Sequence, residues 1–340
     1  MKYYLFFLLL AWNLPLFSQY EILNSSIDSL LKVQSSTPFN GVIYCVSDDK
    51  IVLNRVQGFS DMTAKSPLNL TDQFVIGSIS KQFTAAIILK EYERNNVQLH
   101  VPIRWYLPEL KQKWADSVTI HQLLTHTHGI VDMNKPSIFP AGTSYNYSQI
   151  GYDLLAKIAE RATGKKFDVL SKELFKKCGM TSTLHPDSDG IKSLVIGYTA
   201  KKDELEVEVN SFQNYPAAGC FISTAEDLVK WNECLYGGKV LKKKTLKLLQ
   251  TQYEGAVRNH PLFGETHYGY GITITKVNDQ LQLGQTGFVP GFVSMNYYFP
   301  ETKTSLIMLS NTVYGEGDLK KAFEYHVKIL ELFRTVNDIW

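Results

Sequence analysis

The sequence predicts an α/β protein, an α+β sandwich in which an antiparallel β-sheet is flanked by helices and carries an inserted, mainly helical lobe. Two observations lead there: β-prone runs gather at both ends of the chain, and helical apolar spacing fills the middle. Residues 22–33 have helical spacing. Residues 41–46 and 50–56 are β-rich and flank Ser47-Asp48-Asp49, which reads as a hairpin turn. A helix-prone segment starts near Ser78, with Phe83, Ile87, Ile88 and Tyr92 on one face, and 153–162 and 167–177 follow as helices. Ser223-Thr224-Ala225-Glu226 has capping-box spacing and opens a helix through Leu235. The runs 270–275, 280–284, 291–299 and 304–310 are strand-like, and 318–333 closes as an amphipathic helix. The expected division is a discontinuous α/β lobe, about 20–78 and 210–340, around a helical lobe of about 79–209.

Bulk properties narrow the class. With 340 residues, 44% of them hydrophobic and 20% charged, the chain can bury a full core. A net charge of +2 without a basic stripe argues against nucleic acid as a partner. Lys242-Lys243-Lys244 lies among leucines and reads as a solvated helix face. Lys2, the apolar run 3–12, the break at Asn13-Leu14-Pro15 and the small Ser18 together read as a signal peptide, residues 1–18. That predicts a periplasmic or secreted protein with no stable membrane span after cleavage; an uncleaved anchor is the alternative. Cys45, Cys178, Cys220 and Cys234 lack metal-type spacing, and their pairing is not decided by the sequence. Oligomeric state leaves no mark either.

The first chemical signal is Ser78-Ile79-Ser80-Lys81. A serine opening a helix and a lysine three residues on share one face, one turn apart. Serine attacks only when a neighbour takes its proton, and a desolvated lysine can do so. Taken alone the pattern is common, and a helix cap with a surface lysine would explain it.

Further segments give the pattern weight. Tyr147-Ser148-Gln149 stands before Gly151-Tyr152, Gly284-Gln285-Thr286-Gly287-Phe288 lies on a predicted strand, and Leu123-Leu124-Thr125-His126-Thr127-His128-Gly129, Ala217-Ala218-Gly219 and Tyr268-Gly269-Tyr270-Gly271 occur in compatible order. Through these the chain, from about residue 39 to 311, resembles the penicillin-recognising serine hydrolases, in the branch of class C β-lactamases, D,D-carboxypeptidases and related esterases. The resemblance implies a β-lactamase/transpeptidase-like fold with Ser78 as nucleophile, and Lys81 and Tyr147 as one coupled proton-handling pair. It also implies backbone N–H groups of Ser78 and Phe288 as the oxyanion hole, with Gln149, Gln285, Thr286 and Gly287 around the substrate. The substrate would be a small molecule or peptide-like, such as an ester, an amide or a D-amino-acid peptide, and no cofactor or metal is called for.

Two positions depart from that branch. Gln149 replaces an asparagine and keeps an amide able to bridge to Lys81. Gln285 replaces a lysine or histidine, so the site edge loses a cation that would hold a substrate carboxylate. Substrates lacking that carboxylate are favoured accordingly, and efficient β-lactam hydrolysis is disfavoured. A second register, Ser144-Tyr145-Asn146, fits the Ser-x-Asn element of other penicillin-binding proteins, although Gly151-Tyr152 favours Tyr147. Two other classes compete: a catalytically impaired binding protein of the same fold, and a zinc hydrolase built on His121, His126 and His128. Among the aromatics, Tyr268 and Phe288 are expected near the site, Tyr270 and Phe292 in the core.

Overall fold

Strand β1 (Gly41–Ser47) is apolar at nearly every position because both of its faces are covered, and all seven residues are buried. Val42 and Tyr44 face one core, Ile43 and Cys45 the other. The computed structural model describes residues 14–202, 204–209, 215–277, 279–315 and 317–337. Among these, β1, β2 (Lys50–Gln57), β3 (Val257–His260), β4 (Gly264–Tyr268), β5 (Thr273–Val277), β6 (Gln280–Val289), β7 (Phe292–Phe299) and β8 (Thr304–Ser310) form one sheet in the order 2-1-8-7-6-5-4-3. Every neighbouring pair is antiparallel. Strand β8, from the far end of the chain, sits beside β1, so segments distant in sequence are neighbours inside the sheet.

One face packs on helices α1 (Leu14–Lys32) and α6 (Glu324–Asn337), through Leu23, Ile27, Ile329, Leu330 and Phe333. The other packs on α2 (Ser80–Glu93), α3 (Gln149–Thr163), α4 (Phe167–Lys177) and α5 (Ala225–Tyr236). Helix α2 is the hub of this second core. Phe83 meets Phe175, Phe221 and Trp231 edge-on with ring centres 5.0, 5.4 and 4.7 Å away, the geometry that ring quadrupoles favour. Because helices and sheet surround α2, it is buried on nearly every side; the expected single apolar face is absent.

Other expectations shift by small steps. The helix at 225 is capped by Thr224, whose side chain accepts from the Asp227 N–H. Ser223 instead ends a short strand, Ile222–Ser223, paired with Phe74–Val75. Residues 270–272 turn before β5, and β3 and β4 had no strand signal. Those two are short, mostly polar strands at the end of the sheet, β3 on its edge, and carry little apolar alternation. The predicted signal peptide lies outside the described residues as far as residue 13, and α1 starts at Leu14. No helix among the described residues is long and apolar enough to cross a membrane. Cys178, at the end of α4, is disulfide-bonded to Cys234 in α5, while Cys45 and Cys220 are buried free thiols.

Candidate active site

Chain segments far apart in sequence meet at the start of α2. The Ile76 N–H donates to the Phe221 carbonyl (3.0 Å), and Ser294 Oγ on β7 donates to the Ile76 carbonyl (2.7 Å). Gly77 then turns with φ +54° against β6, where a Cβ would come within 2.5 Å of the Phe288 nitrogen. From the strand side, a Cβ on Gly287 would overlap the Ile76 carbonyl oxygen. Two glycines thus let the turn carrying Ser78 lie directly on the backbone of Gly287-Phe288. Ser80 pins the same turn, its Oγ donating to the Gly77 carbonyl (2.6 Å) and accepting from the Phe221 N–H (3.2 Å).

Lys81 is fully buried, and an ammonium has three hydrogens to place. Nζ donates to Ser78 Oγ (3.2 Å), Gln149 Oε1 (2.6 Å) and the Ala218 carbonyl (2.7 Å). One turn further, Thr84 Oγ1 donates to the Ala217 carbonyl (2.6 Å), so α2 grips the short helix Pro216–Gly219 twice. Nζ also lies 4.7 Å from the centre of the Tyr147 ring and 5.4 Å from that of Tyr152.

Burial pushes Lys81 below the ordinary lysine range, against the opposing pull of the Tyr147 phenol. For Tyr147, burial pushes the phenol up, but the charges of Lys81 and Arg258 and hydrogen bonding to Lys81 and Ser78 outweigh it, so the phenol lies below its ordinary value. The two groups therefore titrate as a pair.

His126 sets the position of Tyr147. Its backbone is left-handed (φ +60°), a strained choice for a non-glycine residue. Its carbonyl accepts from the Asn146 N–H (2.9 Å) and its Nδ1 from the Ser148 N–H (3.2 Å), gripping the chain on both sides of Tyr147. The imidazole lies 4.4 Å from the Tyr147 ring, and burial keeps it neutral. His121 and His128 are held separately: His121 Nδ1 shares a hydrogen with the Tyr270 hydroxyl (2.8 Å), and His128 Nδ1 accepts from the Ile130 N–H (2.9 Å). Among the described residues no cluster of three or more metal-binding side chains forms.

The remaining expected residues divide by the two-residue period of β6. Gln285 is buried, donating from Nε2 to the Tyr268 hydroxyl (2.9 Å) and accepting from Thr273 Oγ1 (3.2 Å). Its hydrogen bond to Tyr268 links it to the site, since the Tyr268 ring centre is 6.3 Å from that of Tyr147. Thr286 and Phe288 point to the opposite face: Thr286 Oγ1 is 3.2 Å from His260 Nε2, and the Phe288 ring approaches Phe323. Phe288 therefore meets the turn that carries Ser78 through its backbone nitrogen, at Gly77, while its ring faces Phe323. Tyr270 and Phe292 are core residues. Ser144 is exposed, whereas Tyr147 stands at Lys81, so the geometry favours the register built on Tyr147 over Ser144-Tyr145-Asn146.

Sequence reasoning missed Arg258. It comes from β3, which gave no strand signal, and its guanidinium carbon lies 4.4 Å from the centre of the Tyr147 ring. It also missed the Ala218 carbonyl as a partner of Lys81; no side-chain pattern can report a backbone acceptor.

The chain is similar to known proteins. The chain is 26% identical to penicillin-binding protein 4* of Bacillus subtilis, over 84% of this chain and 71% of that one. It is 22% identical to a D-aminopeptidase of Brucella anthropi, over 82% of this chain and 57% of the relative, and so spans little more than half of that protein's length. The D-amino acid amidase of Ochrobactrum anthropi SV3, solved with D-phenylalanine, superposes with a TM-score of 0.79 at 21% identity, covering 92% of this chain and 99% of the amidase. The Beta-lactamase family model matches residues 36–331. With that match spanning both ends of the sheet and everything between, the chain belongs to the β-lactamase family and is a serine hydrolase.

Proposed function

We propose that the protein cleaves ester, amide or peptide-like bonds through an acyl-enzyme on Ser78. The observation that carries this reading is the contact of Ser78 Oγ with a fully buried Lys81, itself coupled to Tyr147. In the first step the Lys81–Tyr147 pair takes the Ser78 proton as Oγ bonds to the acyl carbon. The oxyanion is received by the N–H groups of Ser78 and Phe288, whose backbones the two glycines bring together. Collapse breaks the bond to the leaving group, which departs with the proton returned through Tyr147. Water then attacks the acyl-enzyme, giving its proton to the same pair, and Ser78 is regenerated. Gln149, at the site's exposed rim, holds Lys81 in register.

The names of the relatives, a penicillin-binding protein, an aminopeptidase and an amidase, support a peptide-like or amide substrate. An exported location is part of the same proposal. It rests on the N-terminal pattern and on the Cys178–Cys234 disulfide, a bond that persists in oxidising compartments.

A fluorophosphonate probe tests the reading. It is expected to add to Ser78, located by mass spectrometry of the tryptic peptide, and Ser78→Ala should remove both the label and turnover. Labelling elsewhere, or turnover surviving in Ser78→Ala, would refute the mechanism.

A further inference from the structure

Among the described residues, two hydrogen-bond donors against the Tyr147 ring and a third one ring further out lack an acceptor. Nη1 of Arg258 is buried and unpartnered. So is Nε2 of His126, which carries the imidazole proton because Nδ1 accepts from Ser148. The third is the Tyr145 hydroxyl, on a ring 5.7 Å from His126 and 5.8 Å from Tyr268. A buried donor left unsatisfied costs roughly 1–3 kcal/mol, and more when charged. A surplus of donors in this cluster suits a ligand rich in acceptors.

The charges agree. Lys81 and Arg258 are two cations at one phenol, and the groups acting on Lys81 are Tyr147, Arg258 and the Cys220 thiol. Burial holds that thiol up at about 11, so it is neutral. No Asp or Glu joins this set. Even with Tyr147 ionised, one positive charge is left without a counter-charge. Gln285 brings no charge to the site, and both ends of its amide already engage Tyr268 and Thr273.

We propose that Arg258 is the anion-binding residue of this site and receives a carboxylate carried by the substrate's leaving group. The inference rests on the acyl-enzyme reading and names its substrate class: acyl donors that release a carboxylate-bearing amine, alcohol or thiol. The leaving-group side follows from position, because Arg258 lies against Tyr147, the residue that returns the proton to the departing atom. A leaving group bearing an ammonium would face two cations. The cation missing at position 285 is thus supplied from β3, and the preference for carboxylate-free substrates drawn from Gln285 is reversed.

Two thioesters test this: the hippuryl ester of mercaptoacetate and the same compound with that carboxylate methylated. Ser78 forms the ester bond, the C–S bond breaks, and the thiol leaves with the proton. The expected wild-type kcat/KM favours the free acid by about 10–100-fold, the size of a charge-assisted hydrogen bond. Arg258→Gln should bring the ratio to about one, with Arg258→Lys in between. A wild-type ratio near one, or an equal fall for both esters in Arg258→Gln, overturns the proposal. Each variant is first checked by Ser78 labelling. If neither ester turns over, mercaptoacetate must slow that labelling in the wild type and not in Arg258→Gln; absence of protection also overturns it. A labelled Ser78 with no carboxylate preference refutes this inference alone, whereas an unlabelled Ser78 refutes the acyl-enzyme reading and this one with it.

Discussion

Lys81 and Arg258 are two cations on the same phenol ring, at 4.7 and 4.4 Å, and their surroundings are opposite. Lys81 is enclosed by α2, α3 and the helix Pro216–Gly219, and each of its three hydrogens has an acceptor. Arg258 stands on a short edge strand with a buried nitrogen that has none. A saturated cation is preorganised, with little freedom to serve anything but its fixed partners. An unsaturated one is held in place by its stem and left open to a ligand. The contrast separates the part of the site that performs the reaction from the part that selects what reacts.

The sharpest test of that division is Lys81→Ala. Groups that act as a unit fail as a unit, so kcat/KM should fall by at least about 10³-fold on acid and methyl thioester alike. The circular dichroism spectrum should be unchanged. Rates within tenfold of wild type would make Lys81 a structural residue and dissolve the distinction.

Gln285→Leu probes the other side with a smaller effect. Leucine fills similar space but leaves the Tyr268 hydroxyl without its donor and Thr273 without its acceptor, so urea denaturation should show a loss of about 1–3 kcal/mol. Turnover should change little. If kcat/KM fell sharply at unchanged stability, Gln285 would belong to the substrate and the argument for Arg258 would weaken.

Lys81 and Arg258 also differ in how far the sequence reveals them. Ser78 and Lys81 are one helical turn apart, so their meeting is dictated locally and can be read as a spacing. The interior strands β1 and β8 were legible for a similar reason: they are apolar on both faces, and such runs have few alternatives. Tyr147 needed the comparison of several ordered segments, because the hold of His126 on residues 146–148 is a loop geometry without periodicity. Arg258 left no trace. A lone arginine in the polar run Val257–His260 looks like surface, and only the pairing of β3 with β4 carries it to Tyr147. Gln285 was legible only in part: its residue type was visible, but the two partners that engage its amide were not.

The finest test asks whether Arg258 also acts on the proton-handling pair. Acylation requires the Lys81–Tyr147 pair to accept a proton, so kcat/KM rises with pH as the pair deprotonates. Burial lowers Lys81, and on Tyr147 the cationic neighbours outweigh the upward push of burial, so the rise should lie below the range of roughly 10 where free lysine and tyrosine titrate. The positive charge of Arg258 lowers both members. Removing it in Arg258→Gln must therefore move the rise to higher pH, and Arg258→Lys, which keeps the charge, should hold it near the wild-type position. His126 and His260 lie too low to share in this limb, His260 at about 3. Measured on the methyl thioester, which has no carboxylate to bind, the shift isolates this effect from substrate recognition. An unmoved limb would show that Arg258 acts on the substrate alone, and a shift to lower pH would contradict the charge arrangement around Tyr147.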